Sequence, residues 1–361
     1  ERENDSYIYI DSLHPGEEYI YVTEYEEEKH IWDRVITRLL KTSVDTNYIT
    51  TNDYGLQVKL NFNMFNGQTR FRWDPVSDTL SNFCTITSDP IFKIGFWLGY
   101  RNFGLGYSFD LRSFSKDKTQ YNSEFSFSYY GDAWGADLSF SASRGNKISF
   151  NKLDDIPTTT FSIYRAQINS YYALRYRKFS YNAAFSHSMR QEKSAGSPLF
   201  GLSFTGYYHY SPSNDLPRIV SNEDLVFPTS IIYLSMNLNA GYAHNFVTKK
   251  HTLLHISAMP YITILKKEFA GVNEDENLVD EDLDPIFQNG VVARASWIWQ
   301  RENHLISLYG SINFNNLLYS PIETSDMAFR VGTCYGFRAY KHHKPHKKRR
   351  ILKRRAHSQN L

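Results

Sequence analysis

From Tyr54 onward, apolar and polar residues alternate one by one. Leu56, Val58, Leu60, Phe62 and Met64 take the even positions, and Gln57, Lys59, Asn61 and Asn63 the odd ones. Successive side chains of a strand point to opposite faces, so the segment has one oily face and one wet one. The rhythm returns in Phe103–Leu111, Trp134–Ala142, Tyr164–Tyr176, Phe179–Phe185 and Met327–Phe337, and each is read as a strand. Upstream the period is different. Trp32, Val35, Ile36, Leu39 and Leu40 fall at i, i+3, i+4, i+7 and i+8, with Glu26, Glu27 and Glu28 in the first turn and Lys41 in the last. That spacing predicts one amphipathic helix over residues 24–42, its charges matched to the macrodipole.

A soluble sandwich would also alternate, and segment length separates the two. The segments run to about 10–15 residues, enough for a tilted strand to cross a bilayer, whereas soluble strands average about 5–6. Connections are tight near Arg101–Asn102, Gly131–Asp132, Arg177–Lys178, Thr248–Lys250 and Arg301–Asn303, but long and polar over 144–161, 191–198 and 267–288. Outer-membrane barrels are laid out this way, with short turns in the periplasm and long loops outside. The predicted fold is all-β, an antiparallel transmembrane β-barrel over residues 54–340. It has about 14 strands within a range of about 12–16, the fourteenth supplied by Leu216–Ser221. Residues 1–50 form a periplasmic segment carrying the helix, and 341–361 a basic periplasmic tail that forms contacts or stays unstructured. Both termini are expected in the periplasm of a Gram-negative cell, so the strand count must be even. Tyr100, Phe103, Tyr129, Trp134, Tyr176, Phe179, Trp297 and Trp299 cluster near the tight turns and are expected to form the inner aromatic girdle.

Composition agrees. The chain has 27 Tyr and 25 Phe, yet its mean hydropathy is −0.49, so the rings are dispersed among polar residues. No run of 18 apolar residues exists, which excludes a transmembrane helix and leaves a closed barrel as the spanning solution. The sequence opens at Glu1 with neither Met nor an apolar h-region, as expected of a secretory signal already removed. A net charge of +2 points to no particular partner, and Cys84 and Cys334 are too few for a disulfide framework.

The wet faces supply the candidate lumen residues: Lys59, Asp110, Arg112, Glu124, Asp137, Arg165, Arg175, Arg177, Arg294, Arg330 and Arg338, with Asn182, Asn237, Asn239 and His255. Buried charge is costly unless paired or hydrated. Two readings follow: a closed polar core cross-linked by ion pairs, which is preferred, or a water-filled pore whose Arg excess favours anions.

Motifs for chemistry are weak. Ser186-His187-Ser188 suggests a lipase pair, but strand phase sends His187 outward and both serines inward. His255 and Ser257 share the inner face, an ordinary arrangement in a polar interior. Aligning Asp280, Asp282 and Asp284 with an EF-hand loop puts Pro285 where Gly is required and Val291 where Glu belongs. No metal, cofactor or catalytic residue is assigned. The tail from Lys341 to Leu361 holds nine Lys/Arg and four His, a nucleic-acid signal in another setting. Here it follows the aromatic terminal strand Tyr335–Tyr340, so nucleic acid is not expected. The expected partners are outer-membrane lipid and lipopolysaccharide, and other envelope proteins through 24–42 and 341–361. The leading function is a non-enzymatic structural subunit or partner in an outer-membrane assembly. A channel for small polar or anionic solutes comes second, and a lipid-modifying hydrolase third.

Four stretches carry a resemblance: Asp45–Thr50 (Asp-Thr-Asn-Tyr-Ile-Thr), Asp89–Tyr100 (Asp-Pro-Ile-Phe-Lys-Ile-Gly-Phe-Trp-Leu-Gly-Tyr), Gln191–Ser197 (Gln-Glu-Lys-Ser-Ala-Gly-Ser) and Gly241–Phe246 (Gly-Tyr-Ala-His-Asn-Phe). With them the sequence resembles a family of Bacteroidota outer-membrane barrels classed as a domain of unknown function, over about residues 45–340. The resemblance implies that location and fold, and implies no catalytic residues.

Overall fold

The structure is a computed structural model. It describes residues 19–26, 44–51, 54–73, 82–87, 90–114, 121–150, 156–210, 230–249, 251–271, 279–280, 289–301, 303–318, 322–340 and 346–353. Two compact units emerge, residues 42–340 and the pair of terminal segments 1–41 and 341–361.

The larger unit is a closed antiparallel barrel of twelve strands. In chain order they are β1 (Tyr54–Trp73), β2 (Ile91–Tyr100), β3 (Phe103–Asp110), β4 (Tyr121–Tyr130), β5 (Trp134–Phe150), β6 (Ile156–Ala173), β7 (Ala195–Tyr210), β8 (Ser230–Lys249), β9 (Thr252–Gly271), β10 (Asn289–Arg301), β11 (His304–Leu318) and β12 (Ile322–Tyr340). Each strand pairs with its neighbours in sequence, and β12 returns to β1 with Phe337 opposite Val58 and Arg330 opposite Phe65. Closure leaves no open edge in the wall. Strands β2–β4 are short, and Asn82–Thr87 restores the wall's height by pairing with the far end of β1 and with Lys147–Phe150 of β5.

Strand period fixes which side chains meet which medium. Phe96, Leu308, Leu238 and Phe204 project outward, with Phe96 54% and Leu308 52% exposed, while inward-facing Gln57 and His255 are fully buried. A soluble sandwich would do the reverse. So large an exposed apolar belt around a closed barrel is stable only against lipid. Three of the aromatic residues expected in the girdle pack together at the tight-turn rim: Tyr129 lies between Phe103, 5.1 Å away, and Trp134, 4.5 Å away.

The count of twelve lies within the expected range and two below its central value. Phe179–Phe185 accounts for one difference, because it leaves the wall and folds inward. Leu216–Ser221, expected as the fourteenth strand, lies outside the described residues. Thr69–Trp73 is the far end of β1 itself.

In the smaller unit, Tyr19–Glu26 pairs antiparallel with His346–Lys353, Tyr21 opposite Ile351 and Glu24 opposite Lys348. The helix expected over 24–42 therefore does not begin at 24, and residues 27–42 lie outside the described set. β-prone Tyr-Ile-Tyr-Val over 19–22 explains the strand at this end. The tail is accordingly structured over 346–353.

Candidate functional site

Between β6 and β7 the chain does not turn tightly. Residues 174–194 fold into the barrel from the rim that carries the tight turns. Ser180 caps a short helix, α1 (Tyr181–Phe185), its hydroxyl accepting from the Ala183 N–H at 3.1 Å. After the helix, His187 takes φ 66°, a left-handed conformation that turns the chain back. Met189–Gln191 then pairs with Ile49–Thr51, the segment just before β1.

Asn182 organises this plug from its centre. Its Oδ1 accepts from Ser186 Oγ at 2.8 Å, Ser188 Oγ at 2.6 Å and the Met189 N–H at 3.1 Å, while Nδ2 donates to the Tyr130 carbonyl at 2.6 Å. The barrel wall holds the carbonyls that the helix end leaves without intrahelical partners. Lys59 Nζ donates to Phe185 O at 2.9 Å, Ser296 Oγ to Ala184 O at 3.3 Å and Arg338 to His187 O at 3.0 Å. Rings fill the remaining space, with Tyr181 4.3 Å from Tyr171 and Phe185 5.1 Å from His255.

On the helix side facing the barrel interior lies a cavity of about 330 Å³, lined by Lys59, Phe185 and a belt of ion pairs. Glu124 receives Arg330 at 2.7 Å and Lys93 at 3.2 Å, and Arg294 meets Asp137 at 3.0 Å. Tyr130 donates a short hydrogen bond to the same Asp137. Nearby, Arg165 pairs with Asp326 at 3.4 Å. Two or more partners per carboxylate is what makes buried charge tolerable here.

His187 is held well below the usual histidine range, first by burial and then by the positive charges of Lys59 and Arg338. Its neutral Nδ1 lies 2.8 Å from Lys59 Nζ. Burial alone would raise the Glu192 carboxyl, but hydrogen bonds from Arg190 and Thr50 outweigh it and keep the group low.

Residues 43–339 match the model of a domain of unknown function, DUF4421. The chain belongs to the DUF4421 family. No curated protein matches it. Among solved structures it is similar to the translocator domain of the autotransporter NalP from Neisseria meningitidis (11% identity, 84% of this chain and 92% of that one, TM-score 0.36). It is similar also to the β domain of the Bordetella autotransporter BrkA (11% identity, 79% and 100%, TM-score 0.33). A third is the outer membrane protein OprG from Pseudomonas aeruginosa (10% identity, 80% and 99%, TM-score 0.25). Scores this low carry no weight, and the barrel stands on its own closed ladder.

In this DUF4421 barrel, three of the four stretches that carry the family resemblance converge on the plug's anchorage. Tyr48 of the first accepts from the Glu192 N–H of the third at 2.7 Å. Asn245 of the Gly241–Phe246 stretch donates to Gln191 Oε1 at 3.0 Å and to Ser180 O at 2.8 Å. The Asp89–Tyr100 stretch instead supplies Lys93 and Trp97 to the lumen, the latter under the Lys59 ammonium at 3.8 Å.

Lys59, Glu124, Asp137, Arg165, Arg294, Arg330 and Arg338 lie in the DUF4421 lumen. Asp110 is buried and tied at 2.8 Å to Arg112, which sits in a 3-10 turn, Leu111–Phe114, rather than on a strand. Arg175 and Arg177, expected inside, are exposed in the turn after β6. Phe179, expected in the girdle, is fully buried in the plug. Trp297 faces outward with Trp134, while Tyr100, Tyr176 and Trp299 are half-buried. His187, expected outward on a strand, lies in the lumen. The stretch 191–198, expected as a long outer loop, ends the plug and begins β7. Lys93 and Trp97 escaped the sequence reading although the alternation of Ile91–Gly99 turns both inward.

Ser257, His255 and Asn245 form a hydrogen-bonded chain, 3.1 Å from Ser257 Oγ to Nε2 and 2.7 Å from Nδ1 to Asn245 Oδ1. All three are buried, and the space beside Ser257 is about 20 Å³, room for a water and not for an acyl substrate. Because Asn245 also grips Ser180 and Gln191, the chain acts as a tether for the plug. Among the described residues no three His, Cys, Asp or Glu side chains converge as metal ligands.

Proposed function

We propose that this protein is a self-plugged barrel in the outer membrane of a Gram-negative bacterium of the Bacteroidota, with both termini periplasmic, serving as a non-enzymatic structural subunit or partner in an envelope assembly. The inward-folded segment 174–194 carries this reading, because its tethers close the lumen against free diffusion. A barrel closed from within gains function from what binds its exterior and its ends. The terminal strand pair supports this, since two strands alone are marginal in water and are completed by further packing. Residues 24–42 and 341–361 would supply the periplasmic contacts, and lipid with lipopolysaccharide would surround the belt.

The test is chemical cross-linking in intact membranes followed by purification in a gentle detergent. A defined envelope partner should be captured by the full chain and lost when 341–361 is removed. Recovery of an uncross-linked monomer from both would overturn the reading. A second reading, a gated channel for small polar or anionic solutes, draws on the cationic cavity and on a plug held by noncovalent bonds alone.

A further inference from the structure

Among the described residues, the charges that line the 330 Å³ cavity do not balance. Lys59, Arg165, Arg294 and Arg330 line it with only two carboxylates, Glu124 and Asp137, and a third, Asp326, stands behind Arg165. Each carboxylate already accepts from at least one of these cations, and Asp137 and Asp326 also accept from Tyr130 and Tyr207. The unspent capacity therefore belongs to the donors. Lys59 has a carbonyl, an imidazole nitrogen and an indole face as partners, with no carboxylate among them. Arg165 uses one terminal nitrogen on Asp326, while its buried Nε–H has no partner. Arg294 and Arg330 each spend a single terminal nitrogen on a carboxylate, where a guanidinium fork can offer two parallel donors. Buried cations in excess are costly until an anion neutralises them.

We propose that this cavity is a binding site for a small organic carboxylate, seated between the guanidinium groups of Arg165, Arg294 and Arg330 and the Lys59 ammonium. Planar forks match a carboxylate's two oxygens. Phe65 and Phe185, which line the same cavity, favour an organic body over a bare inorganic ion. The inference does not depend on the plug ever opening, nor on any envelope partner.

The full chain in detergent is titrated with succinate, and with succinamide, phosphate and chloride at matched ionic strength, while heat release and the temperature of the gel-shift transition are followed. Succinate should bind and raise the transition temperature, and succinamide should do neither. In R165M/D326N, which removes an ion pair without leaving an orphaned charge, succinate affinity should fall about tenfold or more. An Arg301→Met variant, altered on the exposed rim, should bind as the wild type does. Equal binding of succinamide, a response to phosphate or chloride as large as that to succinate, or unchanged affinity in the double variant would overturn the proposal. If the double variant does not fold, the wild-type contrast between succinate and succinamide still decides.

Discussion

Lys59 Nζ and His187 Nδ1 stand 2.8 Å apart inside the barrel, a contact that requires the imidazole to be neutral. Arg338 donates to the backbone carbonyl of the same histidine at 3.0 Å, so protonation would set three cations side by side. The histidine's pKa is depressed in the folded protein, by burial first and then by Lys59 and Arg338. Stability of the docked plug is therefore complete above the unfolded value of about 6.5 and is lost as pH falls below it. Trp97, which touches Lys59, reports on this contact. Acidification through that range should change its fluorescence reversibly. His187→Asn, which tolerates the left-handed backbone, should abolish the response.

Asn182 ties five groups at once, so Asn182→Ala removes a partner from the Met189 N–H, the Tyr130 carbonyl and Asn102, and leaves the Ser186 and Ser188 hydroxyls to each other and to Asn102. The plug should lose about 2–4 kcal/mol of local stability while the wall stays intact. Amide exchange in 179–189 should accelerate, with the ladder of β8–β9 unchanged.

Gly104 faces the Trp97 indole so closely that an added Cβ would overlap the ring, and Gly99 crowds it likewise. Gly104→Ala should displace the indole from Lys59 at a cost of about 1–3 kcal/mol. A red-shifted Trp emission and a lower gel-shift temperature would register it.

Leu238 and Asn237 are adjacent on β8 and face opposite media, the first exposed to lipid and the second buried in the lumen. Leu238→Arg should cost about 2–4 kcal/mol of folding into bilayers if it lies near the midplane. The yield of heat-modifiable protein in lipid vesicles should fall with Leu238→Arg and stay near wild type with Asn237→Ser.

The wall was legible in the sequence because a period of two has one physical meaning on a strand long enough to cross a bilayer. Val58 to Met64 and Val331 to Phe337 pair as the seam of the barrel. The plug was not. Phe179, Tyr181, Ala183 and Phe185 also alternate, and an inward-folded helix buries them as readily as a wall exposes them. Two local signals pointed elsewhere, Ser180 as a helix cap and the adjacent Ala183-Ala184. Distances across the lumen, such as Lys59 to Phe185 O, follow from closure and have no trace in spacing along the chain.

Single-channel recording in planar bilayers asks whether residues 174–194 close the lumen. At neutral pH the wild-type chain should give no steady conductance, and replacing residues 179–188 with a short Gly/Ser turn should open one. A wild type that conducts steadily, at the level of the plugless variant, would mean that the segment closes nothing.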